Sequence, residues 1–383
     1  RIFDIVMPTE YGTTYNSYLI RGEKAALIEA VHADFLDEYL ENVTSIMSLA
    51  EIDYLIFNHL EPDHSGVLRK LLEINPQLMV VTSVAGNRFA KSIANCSFNS
   101  MIVKDGDVLD LGGKILTFIN APFLHWPDTM FTYLASDKVL FPCDFLGSHY
   151  CEPRMFDSKL HYKNKYDSAL KFYYEAIFSP FNKAVRDGLE KISHLELAMV
   201  CPSHGPILEV SIDEVIASYR KWSAPQHCAP QVKKVVIPYV SAYGCTEKMA
   251  FTLAEAMKNT APIDVELINV IHDDVGRICQ AISAADAVLF GSPTINRDVV
   301  KPIWDVLTSI DAIHNNGKLC GVFGSFGWSG ESIKMMEERV KSLRLNLFRE
   351  GLKICFVPSE EELVGVREYG LAFAKALCKM ETS

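Results

Sequence analysis

Two α/β domains in series are predicted: a two-sheet sandwich faced by helices, then a doubly wound parallel sheet. Three observations carry this. From Arg1 to about Pro225, short apolar runs alternate with turns and helical stretches in mixed order, as in sheets covered from outside. After about Val232, strand and helix alternate strictly, and the strands are continuous apolar runs, the mark of a parallel sheet buried on both faces. Between them, Ser223-Ala-Pro-Gln-His-Cys-Ala-Pro230 carries two prolines without periodicity and reads as a linker, which divides the chain into domains 1–228 and 229–383.

In the first half, strands are expected at 16–21, 25–29, 54–58, 78–82, 114–120, 130–135, 138–142 and 197–201, with helical periodicity at 35–45, 65–74 and 168–178. In the second, strands at 232–240, 265–270, 287–291, 319–324 and 353–357 are separated by helices at 247–258, 275–284, 299–308 and 332–342. A helix at 361–380 closes the domain.

Composition narrows the function. With 383 residues, 49% hydrophobic and 22% charged, the chain can fill two cores and is too apolar for disorder. No apolar run approaches a membrane span, and no signal-peptide pattern opens the chain. A net charge of −11 argues against nucleic acid as partner. The ten cysteines include no C-x-x-C pair, which excludes a rubredoxin or ferredoxin module within the chain. Buried reduced thiols in a cytoplasmic protein are expected instead.

The strongest local signal is Asn58-His-Leu-Glu-Pro-Asp-His64, directly after an expected strand. His59, Glu61, Asp63 and His64 leave one strand end together, and unpaired buried carboxylates are costly, so a metal is expected there. The spacing resembles the H-x-H-x-D-H signature of the metallo-β-lactamase fold. Three later residues follow expected strands in the same way: His125, Asp144 and His204. The middle position, usually histidine in dizinc enzymes of that fold, is Glu61. Balanced imidazole and carboxylate ligation suits iron more than zinc. The inferred allotment is His59, Glu61 and His125 on one iron, Asp63, His64 and His204 on the other, and Asp144 between them. Spacing alone leaves open which loop carboxylate serves which ion.

In the second half, the loop of Ser241, Ala242, Tyr243, Gly244, Cys245 and Thr246 joins a strand to a helix and offers backbone N–H groups and a helix N-terminus to an anion. It lacks the lysine of a Walker A loop. Ser292-Pro-Thr-Ile-Asn296 and Gly324-Ser-Phe-Gly-Trp-Ser-Gly330 also follow strands and flank the expected switch point. Phe326 and Trp328 could stack on an isoalloxazine. Together the three loops read as an FMN site.

In this order, the two constellations resemble the flavodiiron proteins, or A-type flavoproteins, over essentially the whole chain. Gly12-Thr-Thr-Tyr-Asn-Ser-Tyr18 and His125-Trp-Pro-Asp-Thr-Met130 belong to the same likeness. The resemblance implies a metallo-β-lactamase-like αββα sandwich followed by a flavodoxin-like sheet, in the minimal two-domain form, with the family's first strands expected before Arg1. It implies reduction of O2 to water, with NO to N2O as the rival reaction, at two non-haem irons fed through FMN. A separate rubredoxin, or a reduced deazaflavin, is the implied donor. A head-to-tail homodimer, with a tetramer as the further option, would set the FMN of one subunit near the irons of the other. Tyr173 and Tyr174 match an aromatic pair near the diiron pocket; one could donate a proton or hydrogen bond to a bound oxygen, with core packing as the competing role. The remaining histidines, His32, His149 and His272 among them, are assigned to surface or structure. A dizinc hydrolase carrying an accessory flavodoxin, and a pure electron carrier binding FMN without metal, are the alternatives from other classes.

Overall fold

The computed structural model describes residues 2–3, 7–225 and 232–379, so the expected domain boundary, Cys228 and most of the linker lie outside the described residues. Contacts divide the chain into two compact units, Arg1–Gln226 and His227–Ser383. Ser223 ends the helix Ile212–Ser223 rather than opening a linker, because Ile212, Val215 and Tyr219 hold that helix against a core. The described cysteines are free thiols.

In the first unit, one sheet runs in the order Tyr18–Arg21, Ala25–Ile28, Tyr54–Ile56, Met79–Thr82 and Asn99–Ile102, antiparallel at the first pair and parallel thereafter. The other runs Met199–Val200, Val139–Phe141, Met130–Leu134, Ile115–Asn120 and Val108–Asp110, antiparallel except for its first pair. The two-residue period of a strand sorts their side chains. Ala26, Ile28, Ile56, Val81, Leu116, Phe118, Met130 and Leu134 share the core between the sheets. Leu27, Leu55 and Val80 face a helical layer that includes Leu68–Ile74 and Val84–Ala94. Phe131, Tyr133 and Leu140 face Lys163–Tyr173, Asn182–Ile192 and Ile212–Ser223. The architecture is an αββα sandwich.

Several elements differ from the expected ones. The helices Val84–Ala94, Asn182–Ile192 and Ile212–Ser223 and the strands Asn99–Ile102 and Val108–Asp110 were not anticipated. The helix expected at 65–74 is two, Pro62–Ser65 and Leu68–Ile74. The one expected at 168–178 starts earlier, as Lys163–Tyr173, and widens into a π-helical turn over Tyr174–Phe178.

In the second unit, the parallel strands lie in the order Ile263–Asn269, Lys233–Tyr239, Ala287–Gly291 and Leu319–Phe326. Where one fifth strand was expected, two short pieces, Asn346–Leu347 and Leu352–Cys355, pair with Leu319–Phe326 at different heights. Val235, Ile237 and Tyr239 face the helices Cys245–Lys258 and Glu360–Lys379. Val236, Val288 and Val322 face Val275–Ala284, Lys301–Ser309 and Glu331–Ser342. This is the flavodoxin strand order, with the switch point between Lys233–Tyr239 and Ala287–Gly291. Among the described residues, no helix is long and apolar enough to cross a membrane.

Candidate metal and flavin sites

Asn58 anchors the ligand loop to both sheets. Its amide N–H donates to Glu29 (2.9 Å), and its carbonyl accepts from the Met130 amide (2.9 Å). Its side chain donates to the Phe141 carbonyl (3.1 Å) and accepts from the Thr132 hydroxyl (2.7 Å). The helical turn Pro62–Ser65 then carries Asp63 and His64 inward, with the Ser65 hydroxyl donating to the Leu60 carbonyl. His125, Asp144 and His204 leave loops at strand ends of the second sheet. The Thr14 carbonyl accepts from His204 Nδ1 (2.6 Å), and the Gly205 amide donates to the Thr14 hydroxyl (2.8 Å). Gly205 is required twice over: its φ is +82°, and a Cβ there would lie 2.7 Å from the Ser148 carbonyl.

The seven side chains converge in two groups that share Asp144. Glu61 Oε2 lies 3.2 Å from both His59 Nε2 and His125 Nε2. Asp144 Oδ2 is 3.8 Å from His59 Nε2 and 3.5 Å from His125 Nε2. Its other oxygen, Oδ1, lies 3.2 Å from His64 Nε2 and 3.3 Å from His204 Nε2. Asp63 completes that side, at 3.4 Å from His64 and 3.0 Å from His204.

Six of these eight separations fit metal coordination, and the two from Asp144 Oδ2 are wider. Bonds of about 2.1 Å meeting at 90–110° place neighbouring ligand atoms about 3.0–3.4 Å apart. Both Asp63 oxygens, His64 Nε2 and Asp144 Oδ1 are buried without a hydrogen-bond partner among the described residues, an arrangement a cation would satisfy. Without one, the charges lean on each other. Burial alone would lower His64, yet the Asp63 and Asp144 carboxylates hold it up at about 10. Burial alone would raise Asp144, yet His64 and His125 hold it well below the usual carboxylate range.

Three supporting residues escaped the sequence reading. Asp128, 1% exposed, sits 3.2 Å from His59 Nδ1 and accepts from the Leu60 amide (2.8 Å), fixing which edge of His59 turns to the centre. Glu29, buried behind the loop, has its carboxyl pushed up to about 7 by burial. His149, assigned to surface or structure, lies in the wall of the centre beside His204 and Tyr173, with ring centroids 5.2 and 4.7 Å away. Burial and the neighbouring His204 push it down to about 3, so its imidazole is neutral. The two tyrosines part company. Tyr173 lines the centre, while Tyr174 packs on Tyr219 and Trp222 and donates to Asn182, away from it.

A small cavity of about 20 Å³ lies at the centre, lined by Phe3, Glu61, Asp63, His125, Asp144, His149, Tyr173, Ile177 and His204. Five of these nine residues are the expected metal ligands, so this is the space that ions and a small guest would share.

The three loops of the second unit meet at the switch point. Gly244, with φ +80°, leads into the helix Cys245–Lys258, and a Cβ added there meets nothing within 4 Å among the described residues, so this edge is open. Ala242 is exposed in the bend between Ser241 and Gly244. Its methyl side chain offers no polar atom, so of the cradle expected from sequence Ala242 can give a phosphate only its backbone N–H. Ser241 Oγ accepts from the Glu247 amide, and the Thr246 and Ser325 hydroxyls pair at 2.9 Å. The first-turn amides of Cys245 and Thr246 are those a helix leaves without an internal partner, as a phosphate requires. Ser292 and Pro293 lead into a small hairpin, Thr294–Ile295 with Asp298–Val299, turned by Asn296 and Arg297 at φ +54° and +62°. Two left-handed residues make a type I′ turn, which asparagine tolerates. Gly324 backs onto the Ser292 carbonyl group, with 2.9 Å from its would-be Cβ to the carbonyl carbon. Tyr243 and Trp328 project outward, 93% and 87% exposed, whereas Phe326 is half-buried and packs on Gly330. Of the aromatics expected to stack, Trp328 is the one left open. Gly327, Ser329 and Gly330, expected from sequence at the same edge, lie in the irregular segment that leads to the helix Glu331–Ser342.

A family model described as ODP family beta lactamase matches residues 13–205, and a flavodoxin model matches residues 237–370. The flavo-diiron protein FprA2 of Clostridium acetobutylicum is 46% identical over 382 residues, covering 98% of this chain and 95% of that protein. The chain belongs to the flavodiiron proteins. Another relative, named nitric oxide reductase, from Moorella thermoacetica, is 35% identical over 370 residues, which are 96% of this chain and 91% of that protein. The solved rubredoxin oxygen:oxidoreductase of Desulfovibrio gigas superposes with a TM-score of 0.68 at 30% identity, covering 98% of this chain and 93% of that one. In the flavodiiron family a non-haem diiron site accompanies the FMN of the flavodoxin domain, and both donor sets described above fit those groups.

Proposed function

We propose that this flavodiiron protein reduces O2 to water, with NO to N2O as a second reaction at the same centre. One observation carries the reading: two ligand groups share Asp144 around a cavity of about 20 Å³. Glu61 and the shared Asp144 give these groups the carboxylate-rich ligation that suits iron, against the imidazole-rich set of a dizinc hydrolase. The NO reaction is kept because a relative spanning nearly the whole chain bears the name nitric oxide reductase.

His59, Glu61 and His125 would hold one iron, and Asp63, His64 and His204 the other, with Asp144 between them. FMN would rest on Ser241–Thr246, Ser292–Asn296 and Gly324–Gly330. Iron would supply electrons and open positions for the gas, and FMN would accept electrons from a carrier and pass them on. The protein's own groups shape the reaction. Phe3 and Ile177 give the cavity wall its apolar side chains. Burial holds the Tyr173 phenol well above its usual range, so its oxygen keeps a proton to offer as a hydrogen bond. Asp128 holds His59 with Nε2 toward the centre.

The division into domains 1–228 and 229–383, a head-to-tail homodimer or tetramer, and a cytoplasmic setting belong to the same reading. So does a separate rubredoxin as donor, favoured by the name of the D. gigas relative over a reduced deazaflavin. The test is anaerobic mixing of the reduced, FMN- and iron-loaded protein with O2 and with NO under continuous re-reduction. Fast O2 loss without peroxide release supports the oxidase, and faster NO loss reverses the order. No turnover of either gas with all cofactors bound refutes the reading, as does a native protein carrying two zinc ions and no iron.

A further inference from the structure

We propose that His149 is a catalytic residue of the gas reaction, donating a hydrogen bond from Nε2 to the diatomic molecule seated in the cavity. The proposal rests on the diatomic-gas reading above. His149 is 3% exposed, and its ring is clamped between Phe3 and Tyr173, with centroids 4.5 and 4.7 Å away. Its Nδ1 lies 2.8 Å from the Thr13 hydroxyl. That hydroxyl has one proton to give. Its other neighbouring acceptor, the Thr14 carbonyl, is 3.4 Å away and already accepts from His204 Nδ1 at 2.6 Å. On this proposal that proton goes to the shorter contact, so that His149 Nδ1 accepts and Nε2 carries the ring hydrogen. Nε2 is buried and has no hydrogen-bond partner among the described residues, although buried polar atoms are nearly always paired. His149 lines the cavity, and a guest bound at the centre is the partner the proposal assigns to Nε2. Five of its wall residues are assigned to metal and two are apolar, leaving His149 and Tyr173 as the polar groups free to meet the substrate.

The probe is NO, added to the reduced, iron-loaded protein, and the readout is the N–O stretching frequency in H2O and in D2O. Iron content is measured on every sample. In the wild type the band should shift in D2O. In His149→Phe, which keeps the ring packing but lacks the N–H, the band should move to higher frequency and its D2O shift should shrink. His149→Gln, which restores a donor, should return part of both. A His149→Phe protein with wild-type iron content, an unchanged band and an unchanged D2O shift overturns the proposal. Should His149→Phe fail to load iron, Thr13→Val decides. It keeps the imidazole but releases the proton from Nε2, so the D2O shift should shrink, and an undiminished shift overturns the proposal. A fully loaded wild type that gives no N–O band overturns the gas reading, and this proposal with it.

Discussion

Replacing Asp128 with asparagine would change one atom and set two neighbours against each other. Asp128 accepts from the Leu60 amide at 2.8 Å and faces His59 Nδ1 at 3.2 Å. Asparagine has one acceptor oxygen, and the buried Leu60 amide claims it, since an orphaned backbone donor costs about 1–3 kcal/mol. The new NH2 group then points at His59 Nδ1, which must accept. The ring hydrogen moves to Nε2, the edge that faces Glu61 and Asp144. Binding metal through Nε2 would require reversing the tautomer against that bond, so iron affinity should fall about 10–100-fold, which is about 1.4–2.8 kcal/mol. Anaerobic Fe(II) titration against a competing chelator measures this directly, with Asp128→Ala as the comparison. Alanine leaves His59 free to choose either tautomer, so it should be the milder of the two for affinity, though it opens a cavity. An Asp128→Asn protein that holds iron as tightly as the wild type would refute the tautomer argument.

Other expectations follow from single contacts. Gly205→Ala must accept φ +82° and collide with Ser148, whereas Gly113→Ala, at the same φ, meets open space. The first should lose about 2–5 kcal/mol and the second about 1–2, and paired denaturant titrations give the difference. Equal losses would mean that the crowding at Ser148 relaxes freely. Metal binding should release protons, because the carboxylates hold metal-free His64 up at about 10 and a bound metal requires its neutral ring. Iron affinity should therefore rise with pH across neutrality, and calorimetry in buffers of different ionisation heat should show proton release; a buffer-independent heat would contradict this. Thr246→Val removes the hydroxyl pair with Ser325 and should weaken FMN binding about tenfold, read from quenching of flavin fluorescence. Unchanged binding would place the phosphate elsewhere.

What could be read from sequence depended on whether the chemistry was local. The four potential ligands from His59 to His64 share one loop, and His125, Asp144 and His204 each follow a recognisable strand, so all seven were legible. Asp128 and His149 were not, because their meaning lies in partners far away in sequence: Leu60 and His59 for one, Thr13 for the other. Tyr173 and Tyr174 looked equivalent as neighbours, but consecutive helical residues point about 100° apart, which turns one toward the centre and the other onto Trp222. The second unit followed its apolar runs closely, since strands buried on both faces announce themselves. Its last strand was misread because two short pieces share one neighbour instead of forming a continuous run.

Asn58 makes the metal loop a gauge of the spacing between the sheets. It stands at the end of a strand in one sheet, yet three of its hydrogen bonds end on Met130, Thr132 and Phe141 of the other. Any change that thickens or thins the inter-sheet core, such as a larger side chain at Ile56 or Phe118, therefore displaces the ligands without touching them. Loss of iron would then be the earliest sign of loosening in the sandwich, seen before the fold itself gives way.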